Sequence, residues 1–139
     1  MYLLDTVVLS ELRKGPLRRN ANVIAWLASV SPDELFISAI SIGEIERGIE
    51  RQRAVDPAFA AALSEWLDVV LRNYDERILP LGIDIARRWG RLSAQIGNNR
   101  IDLAIAATAL EHGLTIATRN VSDFAATGAA LLDPFEPRP

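Results

Sequence analysis

The chain has 139 residues, no cysteine and a formal net charge of −3 at pH 7. Such a length suits one domain that buries a substantial core, and the missing cysteines exclude disulfides and thiolate metal sites. The net charge speaks against a generally polyanion-binding surface. The basic side, however, is fourteen arginines against one lysine, and arginine takes phosphate in a two-pronged grip; a GC-rich genome produces the same bias.

At the start, MYLLDTVVLSEL is interrupted by Asp5, so it has no long apolar run of secretory or membrane-spanning kind, and a soluble cytoplasmic protein is expected. Tyr2-Leu3-Leu4 reads as a short strand ended by Asp5-Thr6. Val7, Val8, Leu9 and Leu12 begin a short helix that stops near Gly15-Pro16. Asn22 to Ser29 has helical spacing, with Val23, Trp26 and Leu27 on one side. After the turn Ser31-Pro32-Asp33, Leu35-Phe36-Ile37 reads as a second strand. Ser41 stands where a helix N-cap belongs, and Glu44 three positions on completes a capping-box pattern. Ile42, Ile45 and Ile49 mark that helix's buried stripe.

Asp56-Pro57 starts a further helix to about Asn73, with Trp66 on or near its apolar face. Ile78 to Leu81 is a third strand, weakened by Pro80. Ile83 to Ile96 is helical, and Asn98 to Arg100 is a loop. Asp102 then opens a helix of small apolar residues that Gly113 closes. Leu114 to Ala117 reads as a buried strand, followed at once by Thr118-Arg119-Asn120 and, three residues later, Asp123. Ala130-Leu131-Leu132 is the last strand, and 132–139 is an irregular tail. Short strands alternating with helices predict a single domain, 1–139: an α/β protein, a three-layer α/β/α sandwich around a central parallel sheet of about five short strands.

Four carboxylates punctuate this pattern at element ends. Asp5 follows the first strand, Glu44 lies early in the helix after the second, Asp102 starts a later helix, and Asp123 follows the fourth strand. Each alone has a structural reading as well: Asp5 as a cap or Asx turn, Glu44 as half of the capping box, Asp102 as a partner of the helix dipole, Asp123 as a turn residue. Together, in a right-handed doubly wound sheet, all four can face one edge. Crowded carboxylates repel unless they take up protons or a cation neutralises them, and Mg²⁺ or Mn²⁺ suits such oxygen ligands. That combination is the chemistry of metal-dependent phosphodiester hydrolysis.

LLDTVVLSEL, FISAISIGEIERGI, IDLAIAATALEHGLTIATRNVSDF and a closing LLDPFEP resemble, in order and spacing, the PIN-domain proteins. Within them the chain is similar to the VapC toxins of bacterial type II toxin–antitoxin pairs, including the FitB-like branch. The resemblance implies a Mg²⁺- or Mn²⁺-dependent endoribonuclease that cuts tRNA, rRNA or mRNA. It also implies a homodimer, a VapB-like antitoxin that inserts a segment near the site, and possible assembly as a dimer of dimers. By motif position, Asp5, Glu44 and Asp102 match the three main acidic residues and Asp123 the fourth. Asn120 matches a nearby polar residue, and Thr6 and Thr118 match supporting positions. Arg13, Arg47, Arg100 and Arg119, near motif ends, are candidate phosphate contacts.

One residue departs from the pattern: the family usually reads Asp-Thr-Asn at the first motif, and here Val7 takes the third place. That leaves a catalytically impaired PIN-fold protein, binding RNA or a partner, as the alternative. An aspartyl-phosphate phosphatase would want a second Asp where Val7 stands, and a phospho-acceptor receiver would want a late strand-end lysine, whereas the one lysine is Lys14. An apolar fraction of 50% fits a buried dimer face.

Overall fold

The computed structural model describes residues 1–138. In chain order the elements are β1 (Tyr2–Leu4), α1 (Thr6–Glu11), α2 (Ala21–Ala28), β2 (Leu35–Ser38), α3 (Ala39–Val55), α4 (Pro57–Tyr74) and β3 (Ile78–Leu79). Then come α5 (Ile83–Ile96), α6 (Ile101–His112), β4 (Thr115–Ala117), α7 (Val121–Phe124) and β5 (Leu131–Leu132). All neighbouring strands are parallel, in the order β3-β2-β1-β4-β5. The edge strand β3 is two residues long because Pro80, lacking an N–H, cannot continue the ladder.

Successive strand residues point to opposite faces, and β1 shows what each face meets. Leu3 packs with Ile85 and Leu92 of α5, Ile105 of α6, Ile116 and Phe124. Leu4 turns the other way, to Val8, Val23 and Trp26 of α1 and α2. Ile37, in register with Leu4, joins Ile45, Ile49, Leu67 and Val70 of α3 and α4 on that same side. The result is the expected α/β/α sandwich. Helix α6 is buried on nearly every side, from Leu103 to Ala109, and its run of alanines is what lets α5 and the sheet both approach it.

One helix start differs from the sequence expectation. Ser38, not Ser41, caps α3, its hydroxyl accepting the Ile40 N–H at 3.1 Å. Both serines fit a cap locally, but β2 remains extended only as far as Ser38, so the helix begins at Ala39. Glu44 therefore lies in the second turn and completes no capping box, which leaves Ser41 and Glu44 free to face α1. At the other end of α3, Asp56 ends that helix and caps α4, accepting the Phe59 N–H at 3.1 Å, with Pro57 in the first turn.

Asp133 to Phe135, beyond β5, is irregular yet fixed. Asp133 accepts the Phe135 N–H at 2.8 Å, the Phe135 carbonyl accepts from Asn22 at 2.7 Å, and the Phe135 ring completes the cluster around Trp26. Among the described residues no helix is long and apolar enough to cross a membrane.

Candidate active site

The strand order determines where a site can form. From β1 the chain moves outward through β2 to β3, then returns past β1 to β4 and β5. The loops leaving β1 and β4 thus diverge, and the crevice between their carboxyl ends is the topological switch point, where open α/β sheets bind ligands. Asp5 leaves β1 and Thr118 leaves β4, side by side.

Asp5 is 6% exposed. Its backbone N–H donates to the Ala117 carbonyl at 3.0 Å, continuing the ladder one residue past β1. One side-chain oxygen accepts the Thr6 N–H at 2.9 Å and so caps α1, and the other accepts the Thr118 hydroxyl at 2.8 Å. Thr118 Oγ1 is itself oriented by the Asn120 backbone N–H, 2.9 Å away. Asp5 thus caps α1, one of its two sequence readings, and does so with one oxygen only.

Thr6 links this carboxylate to the next. Its Oγ1 lies 2.6 Å from Glu44 Oε1 and 2.9 Å from Ser41 Oγ. A carboxylate can only accept, and a hydroxyl has one proton. Thr6 therefore donates to Glu44, and the fully buried Ser41 donates to Thr6. Ser41 is a site residue that the sequence reading assigned to a helix cap. Its spacing of three from Glu44 was visible, but its partner is 35 residues away.

The other two carboxylates are brought together separately. Asp102 is the second residue of α6, and its Oδ2 accepts from Arg100 Nη2 at 2.8 Å. The same nitrogen lies 3.8 Å from Asp123 Oδ2 on α7. Among the described residues, no three acidic side chains gather closely enough to hold one ion. The donor set itself, four carboxylates offering only hard oxygen, is what a small divalent cation takes. Val7, the departure from the motif, packs half-buried against the cluster of Leu4 and Val8, and Asp5 keeps both its hydrogen bonds.

The arginines are variously placed. Arg13 stacks over the Phe59 ring at 5.3 Å and lines a groove of about 220 Å³ with Thr6, Glu44 and Trp66. Arg47 borders a shallow depression with Glu44 and Ile101. Arg119 lies 4.2 Å over the Phe135 ring. Arg100 is turned onto the acidic pair.

Burial raises the Asp5 carboxyl above its ordinary value of 3.8; hydrogen bonds from Thr118 and Thr6 draw it partly back, and the charges of Asp102 and Glu44 push it up again. The folded chain thus holds the Asp5 proton to higher pH than the unfolded chain, so stability falls as pH rises between 3.8 and the raised value. Asp5→Asn keeps the shape and removes the charge, with its one oxygen left to accept the Thr6 N–H and its NH2 meeting a Thr118 hydroxyl that must turn to accept. In EDTA at pH 7 the variant is expected to melt above the wild type, because the penalty of burying that charge is gone. The advantage should vanish below the ordinary carboxylate value. Equal melting temperatures at both pH values would show that the Asp5 charge carries no penalty.

Comparison with known proteins agrees with the layout. A sequence model described as PIN domain matches residues 2–129. The chain belongs to the PIN-domain family. This PIN domain is 35% identical, over 99% of its own length and 99% of the relative's, to the VapC ribonuclease Y4jK of Sinorhizobium fredii. In structure it is similar to FitAcB from Neisseria gonorrhoeae, with a TM-score of 0.85, 32% identity and coverage of 99% of this chain and 100% of that one. A toxin–antitoxin complex from Klebsiella pneumoniae matches with a TM-score of 0.72 and 26% identity, covering 99% and 100% of the two chains. The match to the family extends from β1 to the segment just before β5, so it includes all four acidic residues.

Proposed function

We propose that this PIN domain is a metal-dependent endoribonuclease, the toxin of a toxin–antitoxin pair. The observation that carries the reading is Asp5. A nearly buried carboxylate stands at the switch point of the sheet, held by two hydrogen bonds and repelled by Asp102 and Glu44. Such an arrangement is costly to a fold and useful to a cation site. Full-length similarity to a protein named VapC ribonuclease supports the choice of RNA as substrate.

Asp5, Glu44, Asp102 and Asp123 would be drawn closer by Mg²⁺ or Mn²⁺ than they stand without it, and these carboxylates would then hold it. Bound there, the cation would supply Lewis acidity, polarising a phosphodiester and lowering the pKa of water. Thr118 and the Thr6 N–H fix both oxygens of Asp5, and the Ser41–Thr6 relay fixes one oxygen of Glu44. Asn120 acts through its backbone, orienting Thr118. Arg13 and Arg47, close to Glu44, would meet RNA phosphates, and Arg119 lies on the loop after β4.

The toxin–antitoxin complex among the structural relatives supports a VapB-like antitoxin as partner. The groove beside Glu44, walled by Phe59, Leu63 and Trp66, offers apolar surface to such a segment. A homodimer, paired again through antitoxin, and a cytoplasmic location complete the proposal. A non-catalytic binding module rests on Val7 alone, and the two bonds that Asp5 keeps favour the enzyme.

The test is cleavage of RNA from the host by purified wild-type protein. Fragments are expected with MnCl₂ or MgCl₂ and none in EDTA. Intact RNA with either metal would overturn the ribonuclease reading and leave the binding module.

A further inference from the structure

Arg100 occupies the N-cap position of α6, two residues before Asp102, and offers that helix no side-chain cap. Its backbone N–H donates to Asn98 Oδ1 at 3.0 Å, a bond that shapes the turn out of α5. One nitrogen, Nη2, then lies 2.8 Å from Asp102 and 3.8 Å from Asp123, carboxylates of two different helices. The three side chains and Asn98 line a small cavity of about 30 Å³. A positive charge placed between two of the four carboxylates does electrostatically what a metal ion would do there: it relieves their repulsion.

We propose that Arg100 is an internal counter-ion that competes with the divalent cation for Asp102 and Asp123. The inference rests on the metal-site reading given above. Asp102 Oδ2 cannot give the same lone pair to a guanidinium and to a metal ion, and a fixed positive charge also repels an arriving dication. Arg100 is therefore displaced as metal binds. Its side chain is 57% exposed, so the bond it loses is weak and the displacement is easy. Once released, the guanidinium remains beside the acidic cluster, where an RNA phosphate could take it up. The residue thus weakens metal binding in the absence of RNA and offers a phosphate contact in its presence.

The experiment is calorimetric titration of metal-stripped protein with MnCl₂, without RNA, on wild type, Arg100→Gln and Arg100→Lys. Loss of an exposed ion pair and of one repelling charge is expected to tighten the Mn²⁺ dissociation constant of Arg100→Gln by about fivefold. Arg100→Lys, which keeps the charge, should stay within about twofold of wild type, the difference that a shorter fork makes. A merely structural role for Arg100 would not distinguish glutamine from lysine in this way. Equal dissociation constants for wild type and Arg100→Gln would overturn the counter-ion role while leaving the metal site standing. Weaker binding by Arg100→Gln would overturn it as well, and would mean that Arg100 holds the carboxylates in their ligating positions. Absence of Mn²⁺ binding in all three proteins would overturn the metal site itself, and the counter-ion role with it.

Discussion

Asp102→Asn is expected to lower RNA cleavage by at least about 100-fold, the scale of losing one charged group from a metal-assisted or acid–base site. Asparagine matches aspartate in size, and Asp102 is only the second residue of α6. Helix start and core should survive the change. What disappears is one negative charge of the set that would bind the cation, together with the partner of Arg100. Thermal unfolding gives an independent check, because a ligand that binds only the folded state raises its melting temperature. MnCl₂ should shift the wild type upward and leave Asp102→Asn where it lies in EDTA. A variant that cleaves RNA at the wild-type rate, prepared in the same way, would mean that the cleavage does not come from this carboxylate.

The second large effect concerns the helix that carries Asp102. Ile105, one turn further along α6, is fully buried against Leu3 and Ile116 of the sheet and the helix α5. Ile105→Ala leaves a cavity where alanines on either side offer nothing long enough to fill it. The expected cost is about 2–5 kcal/mol, the range for removing large aliphatic side chains from packed cores. In a chain of this size that is a fall of roughly 10 °C in melting temperature. Urea unfolding should show a lower midpoint with an unchanged slope, as a change of stability alone requires. A loss below about 1 kcal/mol would mean that the α6 seam collapses around the gap and is not the rigid support described here. The two predictions are linked: the site carboxylate stands on the most deeply buried helix, so its position is set by core packing and not by a loop.

Much of this was legible in the sequence. The apolar run before Asp5, the alanine-rich stretch closed by Gly113 and the Thr118-Arg119-Asn120 segment after β4 specify their elements locally, through spacing, cap chemistry and a residue that adopts φ of +65° at Gly113. Their alternation determined the α/β class, and the four acidic residues could be named because each falls at an element boundary or near one. The start of α3 could not be resolved in the same way. Ser38 and Ser41 are equivalent by local rule, and the pairing of β2 with β1 chose between them.

The remaining features depend on contacts that no local pattern contains. Thr118 reaches Asp5 across 113 positions, and Thr6 reaches Glu44 across 38. Which strand ends adjoin, and so which carboxylate acquires which hydroxyl, follows from the order β3-β2-β1-β4-β5. Arg100 and Asp102 are two residues apart, yet their pairing too was undecided by the sequence, since an arginine before a helix can as well face solvent or phosphate. The sequence by itself determined the strands, the longer helices and the class of fold, because those rest on short-range periodicity and cap chemistry; the short α7, which carries Asp123, gave no such signal. The tertiary structure alone decided the helix start at Ser38, which follows from strand pairing, and the relay from Ser41 to Glu44 and the approach of Arg100 to Asp123, which depend on side chains that only the fold brings near each other.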